Sequence, residues 1–252
     1  MASEADASVT AAPWKQLRSD AIHVWQISLL ADSALIARCH AILDPAEQER
    51  AARYLADMHR HRFILARSSL RLLLGRYLGR TARDVTFSYN AHGRPQLSPT
   101  PDPPLAFNLS HSGDTALLAI TRLPAVGIDL EYHRKPDRIA DLAERFFAAA
   151  EVRQWRALPD ELRVAGFFAG WSRKEAYIKA HGRGLNYPLD RFVISLDPCE
   201  PARILETLND PSEAARWRIE NLACPADCSA ALVAPAGEWR VERYELSNET
   251  AR

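Results

Sequence analysis

Ala125-Val-Gly-Ile-Asp-Leu-Glu131 is a short apolar run that ends in two acidic residues, and it predicts a buried β-strand. Side chains alternate between the two faces of a strand, so Asp129 and Glu131 are expected on the same face. An acidic pair at a strand end is more often a solvated edge than a metal site. The strand alone therefore leaves both interpretations open.

A third acidic residue lies in the predicted helix Trp171-Ser-Arg-Lys-Glu-Ala-Tyr-Ile-Lys179. Glu175 and Lys179 are one helical turn apart, so they share one side of the helix. Taken alone, such a pair is usually a surface ion pair worth about 0.3–0.5 kcal/mol. Together with Asp129 and Glu131, however, Glu175 completes a set of carboxylates, and oxygen ligands of this kind are what Mg2+ prefers. The three acids therefore indicate a magnesium site, and magnesium suggests a phosphate ligand.

Several other segments have the chemistry to bind phosphate. Ser110-His-Ser-Gly113 is predicted to form a turn between two strands, and Gly93-Arg-Pro95 combines a close backbone approach with a guanidinium. The segment Arg50–Arg83 contains nine arginines and a single acid, Asp57. A solvated helix face explains this basic segment equally well, and His111 by itself would more often be structural.

The order of the predicted elements indicates an α+β fold built from two similar α/β halves. We expect the halves in a pseudo-twofold arrangement, with the active site between them. The predicted division is a flexible tail (1–20), an N-terminal half (21–124), a C-terminal half with the metal site (125–246) and a short tail (247–252). The strands are expected at 21–30, 85–89, 105–109, 115–121, 125–130, 191–196, 217–221, 228–233 and 239–246, and the helices at 45–56, 58–79 and within 137–181.

Composition limits the possible partners. The 252 residues include 32 basic and 32 acidic ones, so the formal net charge is zero, and this balance gives no general reason to expect nucleic acid or a membrane as partner. The four cysteines lack the spacing of a zinc site. We find no secretory signal and no run of membrane-spanning length, and we expect a cytoplasmic protein. Two fused halves would complete the site within one chain, which favours a monomer.

Four blocks of the chain resemble the motifs of one enzyme family, in the family's order. Phe107-Asn-Leu-Ser-His-Ser112 resembles Asn-Ile/Leu-Ser-His-Ser, and Val126–Glu131 resembles Val/Ile-Gly-Ile/Val-Asp-Ile/Leu-Glu. Trp171–Lys179, followed by Gly182-Arg-Gly-Leu185, resembles Trp-Ser/Thr-x-Lys-Glu-Ala/Ser-x-x-Lys and its closing Gly-x-Gly-Leu. A weaker match is Gly93-Arg-Pro95, which has Arg where the family has Lys. The ordered set resembles the Sfp-type 4'-phosphopantetheinyl transferases.

This resemblance implies a transferase that moves the 4'-phosphopantetheine moiety of coenzyme A to a serine of an apo acyl or peptidyl carrier protein. The reaction would need Mg2+ and release adenosine 3',5'-bisphosphate. The implied roles are magnesium binding by Asp129, Glu131 and Glu175, coenzyme A binding by Arg50, Arg62, Gly93, Arg94, Pro95, Ser110, His111 and Lys179, and catalysis by Glu175, Lys179 and His111. Glu175 is the candidate base for the serine proton.

Two other classes of protein remain open at this point. A metal-dependent phosphodiesterase or nuclease also uses clustered carboxylates, but it does not require the Asn-Leu-Ser-His-Ser block. A non-catalytic protein that binds coenzyme A or a carrier would bind without transfer, although the three acids and Lys179 are all present in this chain.

Overall fold

The computed structural model describes residues 12–133, 138–182, 184, 187–225 and 227–247. It has the α+β composition that the sequence predicts. In chain order the elements are β1 (Ala21–Ser28), α1 (Ser33–Ile42), α2 (Pro45–Ala52), α3 (Asp57–Leu78), β2 (Phe87–Tyr89), β3 (Pro95–Leu97), β4 (Ala106–Ser112), β5 (Thr115–Thr121), β6 (Gly127–Tyr132), α4 (Ile139–Phe146), α5 (Ala149–Ala157), α6 (Asp160–His181), β7 (Phe192–Ile194), β8 (Ile204–Thr207), β9 (Trp217–Asn221), β10 (Cys228–Pro235) and β11 (Arg240–Leu246).

Two larger sheets form the centre of the molecule. The first sheet has the strand order β11-β1-β5-β4, and the second has the order β6-β10-β9, while β2-β3 and β7-β8 form separate pairs. β1 pairs with β5 in antiparallel and with β11 in parallel orientation. The last strand of the predicted C-terminal half thus completes the sheet of the N-terminal half. The pseudo-twofold relation between the halves stays a prediction.

The two sheets pack against each other through apolar side chains. Val24 and Leu117 of the first sheet share one core with Ile128 and Leu232 of the second sheet. This core holds β6 near β4, the last strand of the first sheet. Burial of aliphatic side chains is the main favourable term in such packing.

Helices cover the outer faces of both sheets. Leu74 of α3 packs in one core with Leu118 of the first sheet, and Tyr177 of α6 packs in another with Val233 of the second sheet. The order of layers is therefore helix, sheet, sheet, helix, and β6 lies against α6.

The start of α2 follows the sequence prediction. Asp44 accepts a hydrogen bond from the backbone N–H of Glu47 at 2.9 Å, and the Glu47 carboxylate accepts one from the backbone N–H of Asp44 at 3.1 Å. This reciprocal capping box, followed by Pro45, fixes the first turn. The helix ends at Ala52, earlier than predicted. α1 was not predicted, although Asp32 caps its start by accepting a hydrogen bond from the backbone N–H of Leu35 at 2.7 Å.

Part of the basic segment stabilises the fold. Glu47 is 4% exposed and forms ion pairs with Arg67 and Arg71 of α3. Arg71, 1% exposed, also pairs with Asp44 and donates to the backbone carbonyl of Val85 at 2.7 Å. Neither of the two earlier interpretations, a solvated face or a phosphate site, applies to Arg71.

The predicted tails lie partly outside the described residues. Residues 12–20 of the N-terminal tail are described. Trp14 packs on the core between α3 and the first sheet, where its ring centroid lies 6.5 Å from that of Trp25. Leu17 is buried in the same core. Residues 1–11 and 248–252 are not among those described.

No helix in the described ranges is both long and apolar enough to cross a membrane. The cytoplasmic location stays a prediction.

Gly127 allows β6 to pack directly on the backbone of α6. A Cβ atom at this position would lie 2.0 Å from the carbonyl oxygen of Ala176 and 2.3 Å from the nitrogen of Ala180. Both are backbone atoms, so no side-chain rotation would relieve the contact. The strand that carries Asp129 therefore lies as close to α6 as a glycine permits.

We predict that Gly127→Ala lowers the free energy of unfolding by about 1–3 kcal/mol, because β6 and α6 would have to separate. Urea denaturation followed by circular dichroism measures this change. A variant as stable as the wild-type chain would contradict the backbone contact.

Candidate active site

The side chains of β4 bind the open edge of β6. The Asn108 Oδ1 atom accepts a hydrogen bond from the backbone N–H of Ile128 at 2.8 Å, and the Ser112 Oγ atom accepts one from the backbone N–H of Tyr132 at 3.1 Å. Buried backbone donors need such partners, and here side chains of one sheet supply them to the other. This seam fixes the register of β4 along β6, which places Ser110 beside the acidic end of β6.

The predicted turn at residues 110–113 is wrong in its extent. Ser110, His111 and Ser112 belong to strand β4, and the turn begins at Gly113 with a φ of 57°. The strand continues because residues Ala106 to Ser112 all pair with β5. Ser110 and Ser112 therefore lie on one face of β4, and His111 lies on the other.

Asp129 is the centre of the site and is 2% exposed. Its Oδ1 atom accepts hydrogen bonds from Ser110 Oγ at 2.8 Å and from Lys179 Nζ at 2.5 Å. Lys179 Nζ also donates to Ser110 Oγ at 3.0 Å. The Oδ2 atom of Asp129 is buried and has no hydrogen-bond partner in the described part of the chain. A buried carboxylate oxygen without a partner is costly, and it is suited to a cation.

The other two acids lie near Asp129. Glu131 accepts a hydrogen bond from Ser112 Oγ at 3.3 Å, on the side of β6 that the alternation predicts. Burial raises the pKa of Glu175, the charge of Lys179 opposes this shift, and the charge of Asp129 adds to it. Glu175 lies one helical turn before Lys179, which contacts Asp129, so helix geometry places Glu175 on the side of α6 that faces Asp129.

The acids are not preassembled as a metal site. Among the described residues, no group of three or more His, Cys, Asp or Glu side chains could hold a metal ion as the side chains stand. Lys179 binds the Oδ1 atom of Asp129, and Oδ2 is the oxygen that has no hydrogen-bond partner among the described residues. The donor set still has the all-oxygen chemistry that Mg2+ prefers.

His111 is exposed near the end of β4 and lies in a positively charged environment. Partial burial lowers the pKa of the His111 ring, and the positive charges of Lys179, Arg62 and His59 lower it further. Lys179 belongs to α6, whereas His59 and Arg62 both belong to α3. An anion placed beside His111 would therefore meet several cations.

A cleft of about 900 Å3 opens between the helices α2 and α3 and the strands β2 to β4. His111 forms part of its wall, and Tyr89 forms another part. Of the predicted coenzyme A ligands, the cleft is lined by Arg50, Gly93, Arg94, Pro95 and His111. Sequence reasoning thus selected residues from three separate segments that share one cavity.

Arg62 is not among the described residues that line this cleft. Its Nε and Nη2 atoms both donate to Asp114 Oδ1, at 2.9 and 2.7 Å. Asp114 lies in the turn that follows β4, so Arg62 is near His111. Its positive charge helps to lower the pKa of His111. Its role as a ligand of the 3'-phosphate stays a prediction.

Arg94 makes contacts that the sequence did not indicate. Its guanidinium donates to the backbone carbonyls of Val126 at 2.9 Å, Phe107 at 3.4 Å and Ala180 at 3.4 Å, and to that of Lys179. Burial lowers the pKa of Arg94. Arg94 therefore lines the cleft while its guanidinium is bound to backbone carbonyls.

Sequence reasoning missed the role of Lys174, the neighbour of Glu175. Lys174 is 1% exposed, and it forms an ion pair with Glu151 at 2.8 Å and donates to the carbonyls of Leu189 and Phe192 at 2.7 and 2.8 Å. Adjacent helical residues point in different directions, so Lys174 anchors α6 while Glu175 faces the site. Its place in the Trp-Ser/Thr-x-Lys-Glu block was the available signal.

Two family models match consecutive parts of the chain, residues 31–122 and 125–234. The model described as the 4'-phosphopantetheinyl transferase superfamily matches residues 125–234. The model described as the N-terminal part of 4'-phosphopantetheinyl transferase matches residues 31–122. All the predicted site residues lie within these two segments.

Individual proteins are similar over most of their length. The 4'-phosphopantetheinyl transferase HetI of Nostoc sp. is 37% identical over 225 residues, which cover 89% of this chain and 92% of HetI. The 4'-phosphopantetheinyl transferase Sfp of Bacillus subtilis strain 168 is 32% identical over 159 residues, which cover 63% of this chain and 69% of Sfp. A solved apo-ACPS structure from Chronobacterium ammoiniagenes covers 44% of this chain and 94% of its own, with 18% identity and a TM-score of 0.30, which is too low to support a statement about the fold.

The seam between β4 and β6 can be tested by removing Asn108. We predict that Asn108→Ala lowers the free energy of unfolding by about 1–3 kcal/mol, because the N–H of the fully buried Ile128 loses its acceptor. Ser88→Ala, at an exposed position of β2, is the control and should change stability by less than about 0.5 kcal/mol. Equal stability of the two variants in urea titrations would argue against the seam.

Proposed function

The chain belongs to the 4'-phosphopantetheinyl transferase family, and we propose that it transfers the 4'-phosphopantetheine of coenzyme A to a serine of an apo acyl or peptidyl carrier protein. The serine hydroxyl attacks the β-phosphorus, a new phosphodiester bond forms, and the bond to the leaving phosphate breaks. Adenosine 3',5'-bisphosphate is released. The serine proton passes to a base.

The environment of Asp129 supports the proposal in addition to family membership. The buried carboxylate of Asp129 has one oxygen bound to Lys179 and Ser110 and a second oxygen with no partner in the described residues. An acid held in this way offers one oxygen to a cation while a fixed ammonium lies beside it. A pyrophosphate needs both kinds of charge, and this arrangement would supply them side by side.

We assign the nucleotide end of coenzyme A to the cleft beside His111. Arg50 lines this cleft, and its guanidinium lies 5.1 Å from the centre of the Phe63 ring. Gly93 and Pro95 line the opposite part and leave room for a close backbone approach. The positive charges around His111 favour an anionic group at the end of the cleft beside His111.

Asp129, Glu131 and Glu175 fit Mg2+ by their chemistry, and we assign them as its ligands. Asp129 is fixed by Ser110 and Lys179, whereas glutamate side chains have more rotatable bonds and can adjust. When bound, Mg2+ would neutralise pyrophosphate charge and act as a Lewis acid.

Lys179 and Glu175 take the remaining roles in the transfer. The Nζ atom of Lys179 is held by Ser110 and Asp129, so its charge is already in place to stabilise the negative charge that develops on the leaving oxygen. Glu175, one helical turn from Lys179, is our candidate acceptor for the serine proton. His111 lines the cleft and would donate a hydrogen bond to phosphate.

Incubation with coenzyme A, Mg2+ and a panel of apo carrier proteins tests the function directly. We expect at least one carrier to gain the mass of the phosphopantetheine group on its serine, and we expect EDTA to prevent the gain. Intact-mass spectrometry gives the result. Binding of coenzyme A by calorimetry without transfer to any carrier would instead support a non-catalytic binding protein.

The acids can be tested separately. We predict that Asp129→Asn and Glu175→Gln each lower kcat by roughly 100-fold or more, because each removes a charge that the transition state needs. Glu161→Gln, at an exposed position of the same helix, is the control and should retain activity. Near-normal turnover in either site variant, with circular dichroism showing a folded chain, would contradict these assignments.

A further inference from the structure

The turn between β2 and β3 is held by its own hydrogen bonds. The Asn90 Oδ1 atom accepts from the backbone N–H groups of His92 and Arg94 at 2.9 and 3.0 Å. The backbone N–H of Gly93 donates to the Asn90 carbonyl at 3.0 Å, and Gly93 has a φ of 76°, which a side chain would disfavour. The side chains of Asn90 and Arg94 therefore project from a rigid turn.

Both side chains bind the C-terminal end of α6. Arg94 Nη1 donates to the carbonyl oxygens of Lys179 and Ala180, and Asn90 Nδ2 donates to that of Gly182 at 3.0 Å. The last carbonyls of a helix have no partner within the helix, so they need donors from outside. A cation at this end also interacts favourably with the helix dipole. The turn thus caps a helix whose end is 85 residues away in sequence.

The second amino group of Arg94 reaches the strands that carry the rest of the site. Arg94 Nη2 donates to the carbonyl of Val126, directly before β6, at 2.9 Å, and to that of Phe107 in β4 at 3.4 Å. A planar guanidinium holds its donors in a fixed fork, and an ammonium does not. One side chain therefore connects α6, β6 and β4, which are the elements that carry Lys179, Asp129 and Ser110.

We propose that Arg94 is a positioning residue, which together with Asn90 fixes the end of α6 and thereby places Lys179 against Asp129. This proposal rests on the proposed function for the role of Lys179. It differs from the role that the family resemblance implies for Arg94, namely direct contact with the nucleotide end of coenzyme A.

The contacts of Arg94 favour the positioning role. Both of its terminal nitrogens already donate to buried backbone carbonyls, and a phosphate in the cleft would have to compete for them. Such competition would leave the carbonyls of Lys179 and Val126 without these donors. Losing a donor to a buried carbonyl is costly, so the guanidinium stays where it is when the cleft fills.

Arg94→Gln separates the two roles. If Arg94 positions Lys179, kcat falls about 10- to 100-fold, because a small displacement of a catalytic group has a large effect on rate. The dissociation constant of adenosine 3',5'-bisphosphate, measured by calorimetry, then changes by less than about twofold, because ground-state binding is not affected. Hydrogen exchange of residues 176–182, read by mass spectrometry, becomes faster. Asn90→Ala is expected to speed the same exchange.

Arg122 provides a matched control. It also donates to backbone carbonyls, those of Leu17 at 3.3 Å and Pro103 at 3.4 Å, but it contacts neither α6 nor β6 there. We expect Arg122→Gln to leave kcat and the exchange of residues 176–182 unchanged. If Arg94→Gln does not fold, Arg94→Lys, which keeps the charge and one donor group, takes its place and should show the same effects to a smaller extent.

Two results would overturn the proposal. The first is an unchanged kcat combined with a bisphosphate affinity at least about tenfold weaker, which would make Arg94 a ligand. The second is unchanged exchange at the end of α6. If the wild-type chain transfers nothing to any carrier, the proposed function fails, and the exchange data alone decide whether the turn caps α6.

Discussion

The ion pair between Lys179 and Asp129 is the contact on which the candidate site depends. It joins α6 to β6, and the Nζ atom of Lys179 lies 2.5 Å from the Oδ1 atom of Asp129. Asp129 is 2% exposed. A buried charge is tolerated only when it is paired and hydrogen-bonded, and Ser110 supplies the additional hydrogen bond. The pair is possible because Gly127 lets the strand lie on the helix backbone. The close packing of β6 on α6 is therefore a condition for this ion pair.

Some residues of the motifs stabilise the fold, and others belong to the candidate site. In the Asn-Leu-Ser-His-Ser block, Asn108 and Ser112 complete the open edge of β6, while Ser110 orients Asp129. In the α6 block, Lys174 anchors the helix through Glu151, and the next residue faces the site. A catalytic arrangement made from separate segments needs such fixed contacts, because errors of about 1 Å reduce the rate strongly.

The two halves of the predicted division are closely joined. β11 enters the first sheet, the turn after β2 binds the end of α6, and side chains of β4 bind β6. Three residues of the candidate site, Ser110, Asp129 and Lys179, lie along this junction. Polar contacts are frequent there because strand edges and helix ends expose backbone groups that need partners.

Local patterns in the sequence were enough to predict most elements and to select the acids of the candidate site. β5 and β9 have the predicted bounds, and the Asp44-Pro45 signal marks the start of α2, since these features depend on neighbouring residues. The alternation along β6 places both acids beside β4, and helical spacing places Glu175 one turn before Lys179. The tertiary structure alone decided which partner each polar group takes. Arg94 binds the end of α6 and Arg62 binds Asp114, and both contacts join residues more than fifty positions apart. A sequence shows that an arginine has donors, but only the folded chain determines which carbonyls and carboxylates lie within their reach.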